Sequence, residues 1–266
     1  MIFHTVKQGG EEWHRLRSTI PTASNFDRLI TPERWEPTKG DTRRNFQLEL
    51  LANRIFGLSA EAQFNSSALD HGREWEPIAR AAYEFERGVE IIDGGFFTDD
   101  AELYGASPDG LIGDDGLIEF KNPENPNVHL AALLDLIDYE SMPTDWTATA
   151  QKGISVNGFV RDHWAQVQGQ LLVTGRQWCD LVCNFSRLPM VVVRIYPNPV
   201  YQTLLADVLD GFCSDMETLL EEATMRGWYR NPQPIVVADG LDGLGLTDDD
   251  VDIIVGSVFA SRLSQE

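Results

Sequence analysis

Lysine is scarce in this chain. Its 266 residues hold four, Lys7, Lys39, Lys121 and Lys152, and Asp and Glu outnumber Lys and Arg by 42 to 21. The net charge of −21 is the wrong sign for a protein that coats nucleic acid, where affinity comes from cations that neutralise phosphates. The deficit is uneven. Residues 1–60 carry nine basic and seven acidic side chains, whereas residues 231–266 carry Arg262 against seven acids. A catalytic groove needs only local positive potential, so a DNA enzyme survives this objection. The acidity itself fits a salt-adapted source or simple solubility.

Long apolar runs are missing too. None approaches the roughly 20 residues a membrane span needs. The start, Met1-Ile2-Phe3-His4-Thr5, lacks the apolar stretch of a secretory signal. The expectation is a soluble, intracellular, cytoplasmic protein that meets no membrane. The three cysteines, Cys179, Cys183 and Cys213, form no even framework. Cys179 and Cys183 lie in an alternating strand pattern, which separates them by roughly 13 Å, beyond the ~7 Å limit for a disulfide. They read as buried thiols in a reducing compartment, and the four-thiolate set of an iron–sulfur cluster is absent. No internal repeat or low-complexity tract is visible. The length suits one large domain or two small ones.

Chemistry concentrates in residues 104–123, which read as short strands joined by turns. In Ser107-Pro108-Asp109-Gly110 the proline presets φ, the aspartate bonds its own backbone and the glycine accepts positive φ. Asp114-Asp115-Gly116 supplies a second turn. Residues 117–121 then read as a strand, with Ile118 and Phe120 on one face and Glu119 and Lys121 on the other. The return strand can bring Glu119 beside Asp109. Two carboxylates on one sheet face suit a hard cation such as Mg²⁺, and a lysine one strand position on can orient a water or offset phosphate charge. The same residues also fit a solvated hairpin with a surface Glu and Lys.

Elsewhere the chain reads mainly as helices. Residues 10–17 form a short helix, and Thr22 caps a second over 23–30. Ser24 in its first turn, with Arg17, suits an anion or ordinary capping. Asp41 starts a helix that Gly57 closes, with Leu48, Leu51, Ile55 and Phe56 as its buried stripe. Arg43 and Arg44 near its start suit a polyanion or a solvated face. In the helix over 66–87, Glu76 falls in the apolar stripe of Leu69, Gly72, Ala79 and Tyr83. It must be met by a cation or hydrogen bonds, or by an i, i+4 pair with Arg80.

Residues 89–98 and 103–107 read as strands, and 128–137 as a leucine-rich core helix. Residues 140–160 read as an insertion, from which Lys152 and Arg161 can face DNA. The helix over 160–174 buries Trp164, Val167 and Leu171 and carries His163, Gln166 and Gln170 on another side. Strands over 178–185 and 190–196 pair, and a long helix over 200–228 follows Pro199. From residue 231 onward Pro, Gly and Asp dominate. The division is therefore a domain over 1–230 and an acidic C-terminal extension over 231–266, in which 246–263 can form a short helix.

Pro108-Asp109 followed by Glu119-Phe120-Lys121 resembles the active-site core of the PD-(D/E)xK nuclease superfamily. Trp13-His14-Arg15-Leu16-Arg17 with Thr22-Ala23-Ser24, Gly72-Arg73-Glu74-Trp75-Glu76 with Ala79-Arg80, and Ala165-Gln166-Val167-Gln168 narrow the resemblance to its phage lambda exonuclease-like, or YqaJ-type viral recombinase, branch. These motifs span residues 13–168 in the right order, each weak alone and strong together.

The resemblance implies an α/β, restriction-endonuclease-like core, a central mixed sheet flanked by helices. It implies a Mg²⁺-dependent 5′→3′ exonuclease (Mn²⁺ able to substitute) that digests one strand of linear duplex DNA in recombination, alongside a single-strand annealing protein. Asp109, Glu119, Lys121, Gln166 and Glu76 would be catalytic. Asp109, Glu119, Glu76 and the Phe120 carbonyl would hold metal. Arg17 and Ser24 would grip the 5′-phosphate, and relatives form a ring of three subunits on duplex ends. Arg15, Lys152, Arg161 and His163 are further candidates to touch DNA. Two other readings stand beside it, an endonuclease of the same superfamily and a catalytically silent DNA-binding scaffold.

Overall fold

A computed structural model describes residues 1–32, 34–57, 67–140, 158–185 and 187–229. Residues 141–157, with the candidate DNA contact Lys152, and the 231–266 extension lie outside the described residues. Among those described, no helix is long and apolar enough to cross a membrane.

Five strands form the main sheet: β2 (Ile91–Asp93), β5 (Gly110–Ile112), β6 (Gly116–Lys121), β7 (Trp178–Cys183) and β8 (Val191–Ile195). They lie in the order β2-β5-β6-β7-β8, and only the central β6–β7 pairing is parallel. A parallel neighbour requires a crossover. Here it includes α4 (Pro126–Glu140) and α5 (Gly158–Thr174). A smaller sheet joins β1 (Ile2–His4), β3 (Phe96–Thr98) and β4 (Gly105–Ala106), all antiparallel. The remaining helices are α1 (Glu11–Ser18), a six-residue 3-10 helix (Ala23–Arg28), α2 (Asp41–Phe56), α3 (Ser67–Arg87) and α6 (Pro199–Met225).

Strand alternation divides the core into two layers. Leu117, Cys179, Leu181, Cys183 and Val193 face a cluster built with α2, α5, α6 and the 3-10 helix. Ile118, Phe120 and Val182 face Ala79 and Tyr83 of α3. On the α3 side, buried Asp180 accepts two bonds from Arg194 across the β7–β8 pair, at 2.8 and 2.9 Å. The Tyr83 hydroxyl donates to the same carboxylate. This ties α3, the helix that carries Glu76, to the middle of the sheet.

Several expectations are corrected. The 89–98 segment is two strands in different sheets, because Gly94 and Gly95 redirect the chain between β2 and β3. The helix after Thr22 is a short 3-10 helix, and the Thr22 side chain makes no cap, pairing instead with the Ser24 hydroxyl at 3.1 Å. The 3-10 helix seats on α5 at Gly169, where a Cβ would lie 2.4 Å from the Phe26 ring. On α2, Leu48 and Phe56 are 43% and 71% exposed, and the buried positions are Phe46, Gln47, Leu50 and Asn53. The neighbours decide that face. Phe46 meets Phe212 of α6, and Asn53 donates to the Ser18 carbonyl at 2.8 Å. Arg43 pairs with Asp215 of α6 at 2.8 Å and lies over the Phe212 ring.

Candidate active site

Asp109 reaches the site through register. Gly110 pairs with Ile118 across β5 and β6, so the next position back, Asp109, falls opposite Glu119. The Phe120 N–H donates to Asp109 Oδ2 at 2.7 Å, and the Arg80 guanidinium donates to the Asp109 carbonyl at 2.6 Å. Arg80 also contacts the Ile91 carbonyl and the Asp93 carboxylate, each at 3.4 Å. Its guanidinium thus holds the Asp109 loop, which is a different task from pairing with Glu76. Gly94 lets the loop approach: a Cβ there would sit 1.9 Å from the Pro108 carbonyl oxygen.

Glu119, 3% exposed, is held by three contacts, one from each of three side chains on two elements. Lys121 Nζ donates to Glu119 Oε1 and to Gln166 Oε1, both at 2.8 Å. Gln166 Nε2 donates to the same Glu119 Oε1 at 2.6 Å, and Gln170 Nε2 donates to Oε2 at 2.6 Å. Gln166 and Gln170 are one helical turn apart on α5 and so share a face. From the sequence, Gln166 counts among the catalytic residues but Gln170 has no task; its i, i+4 spacing from Gln166 was the available signal. Burial alone would lower the Lys121 pKa, but the charges of Glu119 and Asp109 outweigh it and raise it.

Negative charge is crowded here. Burial, followed by the charges of Glu119 and Glu76, holds the Asp109 carboxyl well above its ordinary range. Burial also raises Glu76, opposed by Arg80 and reinforced by Glu119. A cavity of about 370 Å³ opens on these groups, lined by Glu76, Asp109, Glu119, Lys121 and, farther along, Phe159 and His163. Burial and the Lys121 charge push the His163 imidazole down to about 4. It is therefore neutral near pH 7, and its Nδ1–H donates to the Phe159 carbonyl at 2.8 Å.

Among the described residues, no three His, Cys, Asp or Glu side chains already converge as a metal cluster. The donor set still fits a hard divalent cation, since carboxylate oxygens surround one cavity and their mutual repulsion is what a cation relieves. Asp109, Glu119, Glu76 and the Phe120 carbonyl are the groups that would hold it.

A second cavity, of about 170 Å³, lies on the other side of the same two carboxylates and is lined by Arg17, Ser24, Ser107 and Gln8 together with Gln166 and Gln170. Arg17 donates to the Ser24 hydroxyl at 3.0 Å and lies over the Trp13 ring, 4.0 Å from its centroid. Trp13 donates to Ser107 at 2.8 Å, and Ser107 to the Gly95 carbonyl at 2.7 Å. Helix polarity does not make this an anion site, because the 3-10 helix is too short for an appreciable dipole. The cationic guanidinium and the hydroxyls are the groups there that could hold an anion. Gln8, whose side chain lies 3.4 Å from Asp109 Oδ1, and Ser107 were not singled out from sequence. Arg15 is paired with Glu12 and Arg161 with Asp162, both pairs at the surface and outside the two cavities.

Residues 12–177 match the model of the YqaJ-like viral recombinase domain. No curated protein matches the chain. Among solved structures, an alkaline exonuclease (LHK-Exo) from Laribacter hongkongensis is 29% identical, with a TM-score of 0.63 over 82% of this chain and 98% of that one. The same enzyme in complex with dAMP aligns at 28% identity with equal coverage and TM-score. A phage related exonuclease from Haemophilus somnus 129PT shares the fold, at 14% identity and a TM-score of 0.57 over 79% of this chain and 98% of that one.

Proposed function

The chain belongs to the YqaJ-like viral recombinase family and is a nuclease that hydrolyses DNA, and we propose that it digests one strand of linear duplex DNA from its 5′ end. The observation that carries this reading is the pair of cavities meeting at Asp109 and Glu119, one beside Lys121 and Glu76, the other beside Arg17 and Ser24. A terminal phosphate held by Arg17 and Ser24 places the adjoining phosphodiester against the carboxylates. Binding the end fixes where the cut falls, so a mononucleotide is released.

Asp109, Glu119, Glu76 and the Phe120 carbonyl would hold Mg²⁺, with Mn²⁺ as a substitute. A divalent ion there would supply Lewis-acid polarisation of the phosphate and a more acidic bound water. Lys121 and Gln166 orient the attacking water. The Lys121 ammonium, kept charged by Glu119 and Asp109, also offsets charge that develops on the phosphate. His163, Arg15, Arg161 and Lys152 are proposed DNA contacts. In recombination the strand left undigested passes to a single-strand annealing protein.

The test is digestion of linear duplexes labelled at either end, beside a covalently closed circle. Release of the 5′ label before the 3′ label, with the circle intact, is expected, and 5′-phosphorylated ends should be cut faster than 5′-hydroxyl ends. Cutting of the circle would replace this reading with the endonuclease one.

A further inference from the structure

Glu119 divides its two oxygens unequally. A carboxylate oxygen offers two lone-pair directions. Both directions on Oε1 are taken, by Lys121 and Gln166. On Oε2 the described residues supply one donor, Gln170 Nε2 at 2.6 Å. Gln170 is 1% exposed on α5 and is held from the other side only weakly, by the Cys179 thiol 4.0 Å from its Oε1. Its amide has one workable orientation, because the flipped form would set Oε1 against an ionised carboxylate oxygen at the same short distance.

We propose that Gln170 is a positioning residue, which pins the Glu119 carboxylate so that Oε2 keeps a lone pair available to the divalent ion while Oε1 serves Lys121 and Gln166. The role rests on the metal-binding reading of Asp109 and Glu119. Gln166 and Gln170 then act as the two jaws of one clamp, delivered by consecutive turns of a single helix. One jaw ties the carboxylate to the lysine, and the other fixes its rotation about the last side-chain bond. Without the second jaw, Glu119 can turn and present Oε1, already committed, to the cavity.

Outer partners of a metal-binding carboxylate typically contribute about 10- to 100-fold in metal affinity. Gln170→Met keeps a similar unbranched volume and removes the amide. Mn²⁺ binding should be titrated by the loss of the free-ion paramagnetic resonance signal, without DNA, on the wild type and the variant, with a thermal melt of each. The expected result is a melting temperature near wild type and a dissociation constant for Mn²⁺ raised about tenfold. If Gln170→Met does not fold, Gln170→Asn, one methylene too short to span the gap, should show the same weakening. A folded variant that binds Mn²⁺ as the wild type does would overturn the role, and so would failure of both variants to fold, since Gln170 would then be purely structural. A wild type that takes up no Mn²⁺ would overturn the metal site itself, and this role with it.

Discussion

Asp109 carries the sharpest conflict between folding and function. It is buried beside Glu119 and Glu76, and its pKa is held well above the carboxylate range, first by burial and then by those two charges. The raised pKa sets the sign. The folded state binds the proton more tightly than the unfolded chain, so stability from this group is full below the unfolded carboxylate pKa and is lost as pH rises through the folded one. Near neutral pH, without divalent metal, Asp109 therefore destabilises the fold. Asp109→Asn keeps an acceptor for the Phe120 N–H and removes the charge. The metal-free variant should melt a few degrees higher at pH 7.5, about 1 kcal/mol in stability, and the gain should vanish at pH 3.5. Calorimetry at the two pH values checks this, and a lower melting temperature at pH 7.5 would show that the charge is already compensated.

At the scale of elements, the strands were legible and the helix faces less so. A strand's period of two assigns faces without knowledge of the partner, which is why Glu119 and Lys121 separate from Ile118 and Phe120 in the sequence as they do in the sheet. A helix face depends on what covers it. Leucine spacing on α2 pointed to Leu48 and Phe56, whereas α6 and the end of α1 select Phe46, Leu50 and Asn53. The Gly94 approach was illegible, because the contact runs between segments fourteen residues apart in the sequence. It makes a prediction about the β2–β3 junction. In Gly94→Ala the new Cβ meets backbone, 1.9 Å from the Pro108 carbonyl oxygen, so no rotamer relieves it. The Asp109 loop or the β2–β3 junction must shift. A loss of about 1–3 kcal/mol in stability and about 100-fold in cleavage rate is expected. Chemical denaturation and a single-turnover assay would measure both, and wild-type cleavage would mean that the loop position is not critical.

For the whole molecule, a net charge of −21 forbids reliance on long-range attraction to DNA. Attraction between exposed charges is screened beyond about 8 Å at physiological salt, so sustained digestion requires a trap around the duplex or a tightly held end. A ring of three subunits is the proposed trap, and light scattering should report three times the chain's mass; a stable monomer would remove the ring and leave the cleavage site untouched. Asp109, Glu119, Lys121 and Gln166 are proposed as the cleavage site. The most direct test of that assignment is mononucleotide release from a 5′-phosphorylated linear duplex by wild type and Asp109→Asn, each with Mg²⁺ and with excess chelator. Release by the wild type with Mg²⁺ alone is expected, with a rate lower by a thousandfold or more in the variant, equivalent to about 4 kcal/mol in the barrier. Release by folded Asp109→Asn at the wild-type rate, or by the wild type in chelator, would contradict it.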